Sequence, residues 1–268
     1  PIAYTLRIHG VNFTGTSQVL FNGLASTFTV DSDLLILATI PSGATSGPIT
    51  VTNPGGSDVS DIDFTVGPLP PGFINLAWDN CGTNGVINKI FACNTNSAPA
   101  FSLVGSFVPP GGVNELIGMT ADLRIASATT LPDWWRHGAI QCRGSSALTV
   151  ASNQPAGACM DPWTGDAVGS YSYEVGFGGP QNARMVIWCY TDSARPVFDG
   201  DEYYAFRVNI SSAKSTGTGS CAGCGIAPSL TLRQTQLHQT PALKDDPLIN
   251  TPLDSKIAYW QSIPGAAP

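Results

Sequence analysis

Few residues in this chain of 268 could do chemistry: three His, three Glu and seven Cys are the scarce reactive groups. A hydrolytic triad needs a nucleophile, a base and an orienting carboxylate. His9 stands at a strand end before the Gly10 turn, and His238 follows the last regular strand. His137, in Trp134-Trp135-Arg136-His137-Gly138, occupies the most site-like stretch. No G-x-S-x-G elbow accompanies any of the three, and His137 reads as a partly exposed loop residue. Glycoside hydrolysis needs two carboxylates flanking a sugar; Glu115, Glu174 and Glu202 have no partner evident in the sequence. Cys221-Ala222-Gly223-Cys224 has the spacing of half a zinc site, but no second C-x-x-C exists and the histidines lack ligand spacing, which favours a local structural disulfide. A redox pair would need a helix N-terminus, whereas Ser, Thr and Gly surround this motif. Asp161, Asp166, Asp199 and Asp201 match no EF-hand pattern. The expectation is a protein that is not an enzyme, with no catalytic residue, no metal and no cofactor.

The remaining cysteine chemistry is structural. All seven follow Ala77, and six cysteines alone allow 15 connectivities. Proximity favours Cys81–Cys93, Cys142–Cys159 and Cys221–Cys224, the first two closing short loops worth about 3 kcal/mol each. Cys189 lies in the apolar run Met185-Val186-Ile187-Trp188-Cys189-Tyr190 and reads as a free buried thiol. Disulfides persist in oxidising compartments, which predicts an extracellular or cell-surface location. One ligand chemistry competes with a purely structural role. Trp134, Trp135 and His137, with Trp163 nearby, would suit stacking of surface glycans if they are exposed; if they are buried, they cap the core beneath long loops.

The elements that must position these residues follow from composition. Charged residues are 12%, about half the usual share, and helix surfaces are built from the Glu and Lys that are scarce here. With 29 Gly and 21 Pro, turns are frequent and strands short. The net charge of −7 argues against nucleic acid. No apolar run approaches the roughly 20 residues of a membrane span. Opening at Pro1 without Met, the sequence reads as a processed or partial product.

From residue 4 to 66, strand candidates at Ile2–Ile8, Gln18–Phe21, Ser26–Val30, Leu34–Ile40, Pro48–Thr52 and Asp61–Val66 alternate with Gly, Pro, Asn and Asp turns. Gly10-Val11-Asn12-Phe13, Val19-Leu20-Phe21-Asn22-Gly23, Gly47-Pro48-Ile49-Thr50-Val51-Thr52-Asn53-Pro54-Gly55-Gly56 and Phe64-Thr65-Val66 occur in the order found in the IPT/TIG family, which residues 1–66 resemble. The resemblance implies an Ig-like sandwich with a spacer or adhesive role and no catalytic residues. The family opens with a further strand ahead of Tyr4, so an open sheet edge is expected, and open edges pair with other chains. Residues 67–72, Gly-Pro-Leu-Pro-Pro-Gly, form a stiff linker.

Residues 73–237 read as a disulfide-bearing sandwich or jelly roll of longer strands. Trp78-Asp79-Asn80-Cys81-Gly82, Phe91-Ala92-Cys93-Asn94, Leu131-Pro132-Asp133-Trp134-Trp135 and Ser220-Cys221-Ala222-Gly223-Cys224 resemble an uncharacterised domain of secreted, modular bacterial surface proteins. That family has no assigned activity and carries a further Cys beyond the position of Cys224, which is absent here. Residues 238–268 form an extended, Pro-rich tail. Its strand-like piece, Lys256-Ile257-Ala258-Tyr259-Trp260, is expected to complement the open edge of a neighbouring copy. The whole is therefore read as an all-β structural or adhesive protein, a filament subunit whose partners are copies of itself. A carbohydrate-binding surface protein is the alternative.

Overall fold

In a computed structural model the chain is all-β, with no α-helix among the described residues, which are 4–66, 71–154, 157, 159–241, 246–250 and 256–262. It divides into two compact units: Pro1–Pro71 with Pro110–Asn114, and Gly72–Pro109 with Glu115–Pro268. Most of the expected linker, residues 67–70, lies outside the described residues.

The first unit has seven strands: β1 (Tyr4–His9), β2 (Gln18–Phe21), β3 (Leu24–Ala25), β4 (Phe28–Ser32), β5 (Leu35–Ile40), β6 (Ile49–Asn53) and β7 (Gly56–Val59). They form a three-stranded sheet, β1-β5-β4, and a four-stranded sheet, β3-β2-β6-β7. Alternation along the strands sends Val19, Phe21, Ile36, Ala38 and Ile49 inward, where they pack with Phe13. Asn22 and Gly23, at φ 45° and 84°, close the two-residue hairpin between β2 and β3. The last strand is displaced from its expected place. It runs over Gly56–Val59, where Gly56 at φ 137° lets the chain reverse immediately after β6. In the expected strand at residues 61–66, only Phe64 pairs, in an isolated bridge to Gly47.

The second unit contains β8 (Phe73–Trp78), β9 (Asn88–Lys89), β10 (Phe101–Val108), β11 (Glu115–Ala126), β12 (Leu148–Ala151), β13 (Val168–Val175), β14 (Asn182–Pro196), β15 (Tyr203–Ile210), β16 (Ser229–Gln239), β17 (Leu248–Ile249) and β18 (Ile257–Trp260). One sheet is β12-β15-β10-β8. The other is seven-stranded, β13-β14-β11-β16-β18-β9, with β17 alongside β16. Inward residues such as Met119, Leu123, Met185, Ile187 and Phe206 are at most 1% exposed.

The described strands of the tail are paired within their own chain. β18 pairs antiparallel with β16 and parallel with β9 of its own chain. Trp260 is fully buried, stacked on Phe91 at 4.2 Å and in edge or tilted contact with Trp78, Phe101, Trp134 and Trp135. Its Nε1 donates to the Cys224 carbonyl at 2.6 Å, and Gln261 exchanges two hydrogen bonds with the Phe91 backbone. The expected donor strand Lys256-Ile257-Ala258-Tyr259-Trp260 is thus spent in its own core. The physical reason is the size of the Trp260 ring, whose burial against five aromatics outweighs anything an exposed edge could supply.

Cysteine pairing also departs from proximity. The bonds are Cys81–Cys159, Cys93–Cys224 and Cys142–Cys221, with Cys189 free and buried. Cys221 and Cys224 therefore join different partners. Strand pairing brings distant loops together, and each bridge closes 78 to 131 residues. Loops of that length correspond to about 4–5 kcal/mol apiece in the chain-entropy account.

Candidate functional site

The stretch around His137 is structural. Trp134, Trp135 and Trp163 are at most 2% exposed and His137 is 3% exposed. They are capped by loops and cannot meet a glycan, which corrects the expectation for Trp134, Trp135 and His137. Trp134 Nε1 donates to Ser215 Oγ at 3.0 Å, and Arg143 lies 3.9 Å over the Trp134 ring. Burial lowers the pKa of His137 to about 3, with the Arg143 charge adding to it and the Gly144 backbone offsetting a part. Arg143 itself is brought down to about 10 by burial. Tyr173, whose hydroxyl donates to the Trp135 carbonyl at 2.6 Å, is pushed up by the same cause.

A different cluster stands on the open face of the seven-stranded sheet. Along β14, Ala183, Met185, Ile187 and Cys189 point into the core, so Arg184, Val186, Trp188 and Tyr190 point out. Gly118 of β11 is opposite both Tyr190 of β14 and His238 of β16. A β-bulge at Ile117 sits beside it, a device that re-aims neighbouring side chains. A Cβ at position 118 would overlap the Tyr190 ring. The glycine therefore forms a notch over which Tyr190 and His238 stack, their centroids 5.5 Å apart.

The polar atoms form a connected chain. His238 Nδ1 and Asp246 Oδ2 are 3.0 Å apart, and His238 Nε2 and Thr120 Oγ1 are 2.9 Å apart. Thr120 Oγ1 is 3.4 Å from the Tyr190 hydroxyl. Asp246 Oδ1 also accepts from the Gln239 amide. Burial alone would raise the Asp246 pKa, but the His238 and Gln239 hydrogen bonds hold it below the usual carboxylate value. Asp–His–Thr is the connectivity of an acid, a base and a nucleophile. However, Thr120 lies in mid-strand, paired on both sides. The backbone on either side of it is paired in the β11–β14 and β11–β16 ladders. The same chain of contacts brings Thr120 Oγ1 to the Tyr190 hydroxyl and so ties His238 and Asp246 to an exposed aromatic side chain.

Farther along the same face, Asp122 is held by Arg124 (Nε at 2.5 Å) and Arg184 (Nε at 3.2 Å). Burial opposes ionisation of Asp122, but these two guanidiniums outweigh it and lower its pKa. Both guanidiniums also lie against the Phe177 ring, at 4.1 and 4.9 Å. Their charge is engaged within the protein.

In the first unit an open groove of about 1000 Å³ runs between β1 and β7, lined by Ile8, Phe13, Val51, Val59 and Ile62 among others. Val11, Val59 and Ile62 are 67%, 52% and 81% exposed around it. Among the described residues, β1 and β7 are the outer strands of their sheets on this side.

His238, expected after the last regular strand, lies within β16, and sequence reasoning missed Thr120, Trp188, Tyr190 and Asp246. Met185–Tyr190 looked like a uniformly apolar run, but its even members are Val, Trp and Tyr and its odd members Met, Ile and Cys. Reading that run with a period of two would have separated the faces. Nothing local links Thr120 to His238; only the sheet does.

No family model matches the chain, and no curated protein matches it. Among solved structures, it is similar to a fragment described as domains CD (11% identity, TM-score 0.22, 79% of this chain and 92% of that one). It is also similar to the C-terminal domain of the Streptococcus pyogenes antigen I/II-family protein AspA (9% identity, TM-score 0.25, 85% and 59%). A third is a putative membrane anchored protein from Corynebacterium diphtheriae (10% identity, TM-score 0.23, 98% and 57%). The chain thus spans under two thirds of the length of the latter two, and likenesses this distant carry no functional inference.

Proposed function

We propose that this chain is a non-catalytic structural or adhesive protein of the extracellular space or cell surface. Its first unit would serve as an IPT/TIG-like spacer and its second as a disulfide-braced body. The observation that carries the reading is the set of three disulfides, each joining segments at least 78 residues apart. A reducing cytosol would remove about 4–5 kcal/mol per bridge, comparable with the whole stability of a domain. The test is location and redox state in the source cells. Protease shaving of intact cells should release the protein, and its mass before reduction should account for three disulfides and one thiol. A reduced protein in the cytosol would overturn the reading.

A second reading, self-assembly through the first unit, is favoured by the open groove with Val11, Val59 and Ile62 at its rim. Because β18 is used in its own chain, a different extended segment of a neighbour would fill the groove. Sedimentation and electron microscopy of purified protein test this. Assemblies that dissolve on Ile62→Asp support it, and a monomer at high concentration removes it.

A further inference from the structure

Five of the six tryptophans are at most 2% exposed, and Trp188 alone is partly exposed. It stands two residues from Tyr190, which is 42% exposed, so the two outward side chains are spaced by about 7 Å along β14. Ser170 lies opposite Trp188 on β13, and Thr120 opposite it on β11. Tyr190 is set by the Gly118 notch, by stacking on His238, and by the Thr120–His238–Asp246 chain of hydrogen bonds. Two aromatic side chains are thus kept out of the core, and one of them is held by a dedicated polar network.

The surroundings select the ligand class. Arg124 and Arg184 are occupied by Asp122 and the net charge is −7, which disfavours an anion, although Arg233 of β16 is exposed. A protein partner would want a contiguous apolar patch; Val168, 74% exposed, stands opposite Tyr190, but Ser170, Ser172, Glu174 and Gln234 interrupt the rest of this face as exposed polar residues. Aromatic side chains bounded by hydroxyls and amides suit a ligand that is itself apolar on one face and hydroxylated at its edges. We infer that the outer face of the seven-stranded sheet binds a neutral polysaccharide chain laid along β14. Trp188 and Tyr190 stack on its sugar rings, and Ser170, Thr120 and Gln236 border its hydroxyls.

This deepens the adhesive reading by naming what the second unit holds. The location experiment above does not depend on it, so the two can fail separately. The test uses the whole chain in affinity electrophoresis and titration against soluble β-glucan, xylan, mannan, amylose and chitin oligomers, with heparin and alginate as acidic controls. At least one neutral polymer should bind and protect tryptophan fluorescence from iodide, a signal that reports Trp188 because the other five rings are buried. Tyr190→Ala should weaken binding at least tenfold without moving the thermal midpoint. Trp188→Ala should abolish both binding and iodide protection, and Trp188→Phe should restore part of the binding if the alanine variant fails to fold. Ile62→Ala in the first unit should bind like the parent. Binding to none of the neutral polymers, binding to the acidic ones alone, or undiminished binding by Tyr190→Ala would overturn the proposal.

Discussion

At the scale of single residues, His137 carries a measurable consequence. Neither ring nitrogen makes a hydrogen bond within normal geometry, and burial, then Arg143, brings its pKa down to about 3 from roughly 6.5 in an unfolded chain. Between those values the unfolded chain takes up a proton that the folded chain refuses. This contribution to stability is therefore complete above pH 6.5 and lost as pH falls toward 3, at up to about 1.4 kcal/mol per pH unit. His137→Phe should flatten the pH dependence of the thermal midpoint over that window and leave stability at pH 8 within about 1 kcal/mol, because no well-formed hydrogen bond is lost. An unaltered slope in the variant would refute the assignment. Cys189 offers a second check. Burial pushes its thiol up to about 12, so a disulfide-type thiol reagent should find no reactive group in the native protein and one after unfolding without reductant.

At the scale of elements, β18 and the Gly118 notch matter most. Trp260→Ala should destabilise the second unit by roughly 3–5 kcal/mol, the range for emptying an aromatic core site, as read by denaturant unfolding. A loss below about 1 kcal/mol would mean that the aromatic cluster is not cooperative. Gly118→Ala should displace Tyr190, seen as a changed tyrosine ring environment in NMR spectra, while the sheet persists. Much of the secondary structure was legible from sequence. Strands read from the sequence at Ile74–Trp78, Leu116–Ala126 and Glu202–Ile210 coincide closely with β8, β11 and β15, because alternation and β-branched or aromatic content are local signals. The site and the disulfides were not, because they depend on which strands are neighbours. Gly118 lies between Tyr190 and His238 only after β14 and β16 flank β11. Cys142 meets Cys221 rather than Cys159 for the same reason. β18 was recognised as a strand, but its destination depended on the pocket built by Trp78, Phe91 and Trp134.

At the scale of the whole molecule, the cysteines are unevenly distributed: all seven fall in the second unit. Reductant should therefore act on one unit alone. Calorimetry of the intact chain is expected to show two transitions, of which only the one belonging to the second unit falls on reduction. Parallel shifts of both transitions would contradict independent units. Low charge, first an argument against helices, has a place here as well: on the outer face of the large sheet Thr120, Ser170, Ser172, Gln234 and Gln236 stand beside the Asp122–Arg124–Arg184 cluster.

The position of β18 also orders events in the making of the protein. The last strand of the sheet is a central plug, and the Cys224 carbonyl that anchors it belongs to a disulfide reaching back to Cys93. A chain emerging vectorially from a ribosome or an export channel exposes Trp78, Phe91, Phe101, Trp134 and Trp135 long before Trp260 arrives to cover them. Until that strand is made the aromatic pocket lacks its plug, so the second unit is expected to lock only once its C-terminal strand is in place. Chains truncated before Ile257 are expected to remain protease-sensitive and to scramble their thiols, whereas chains ending after Ser262 should not.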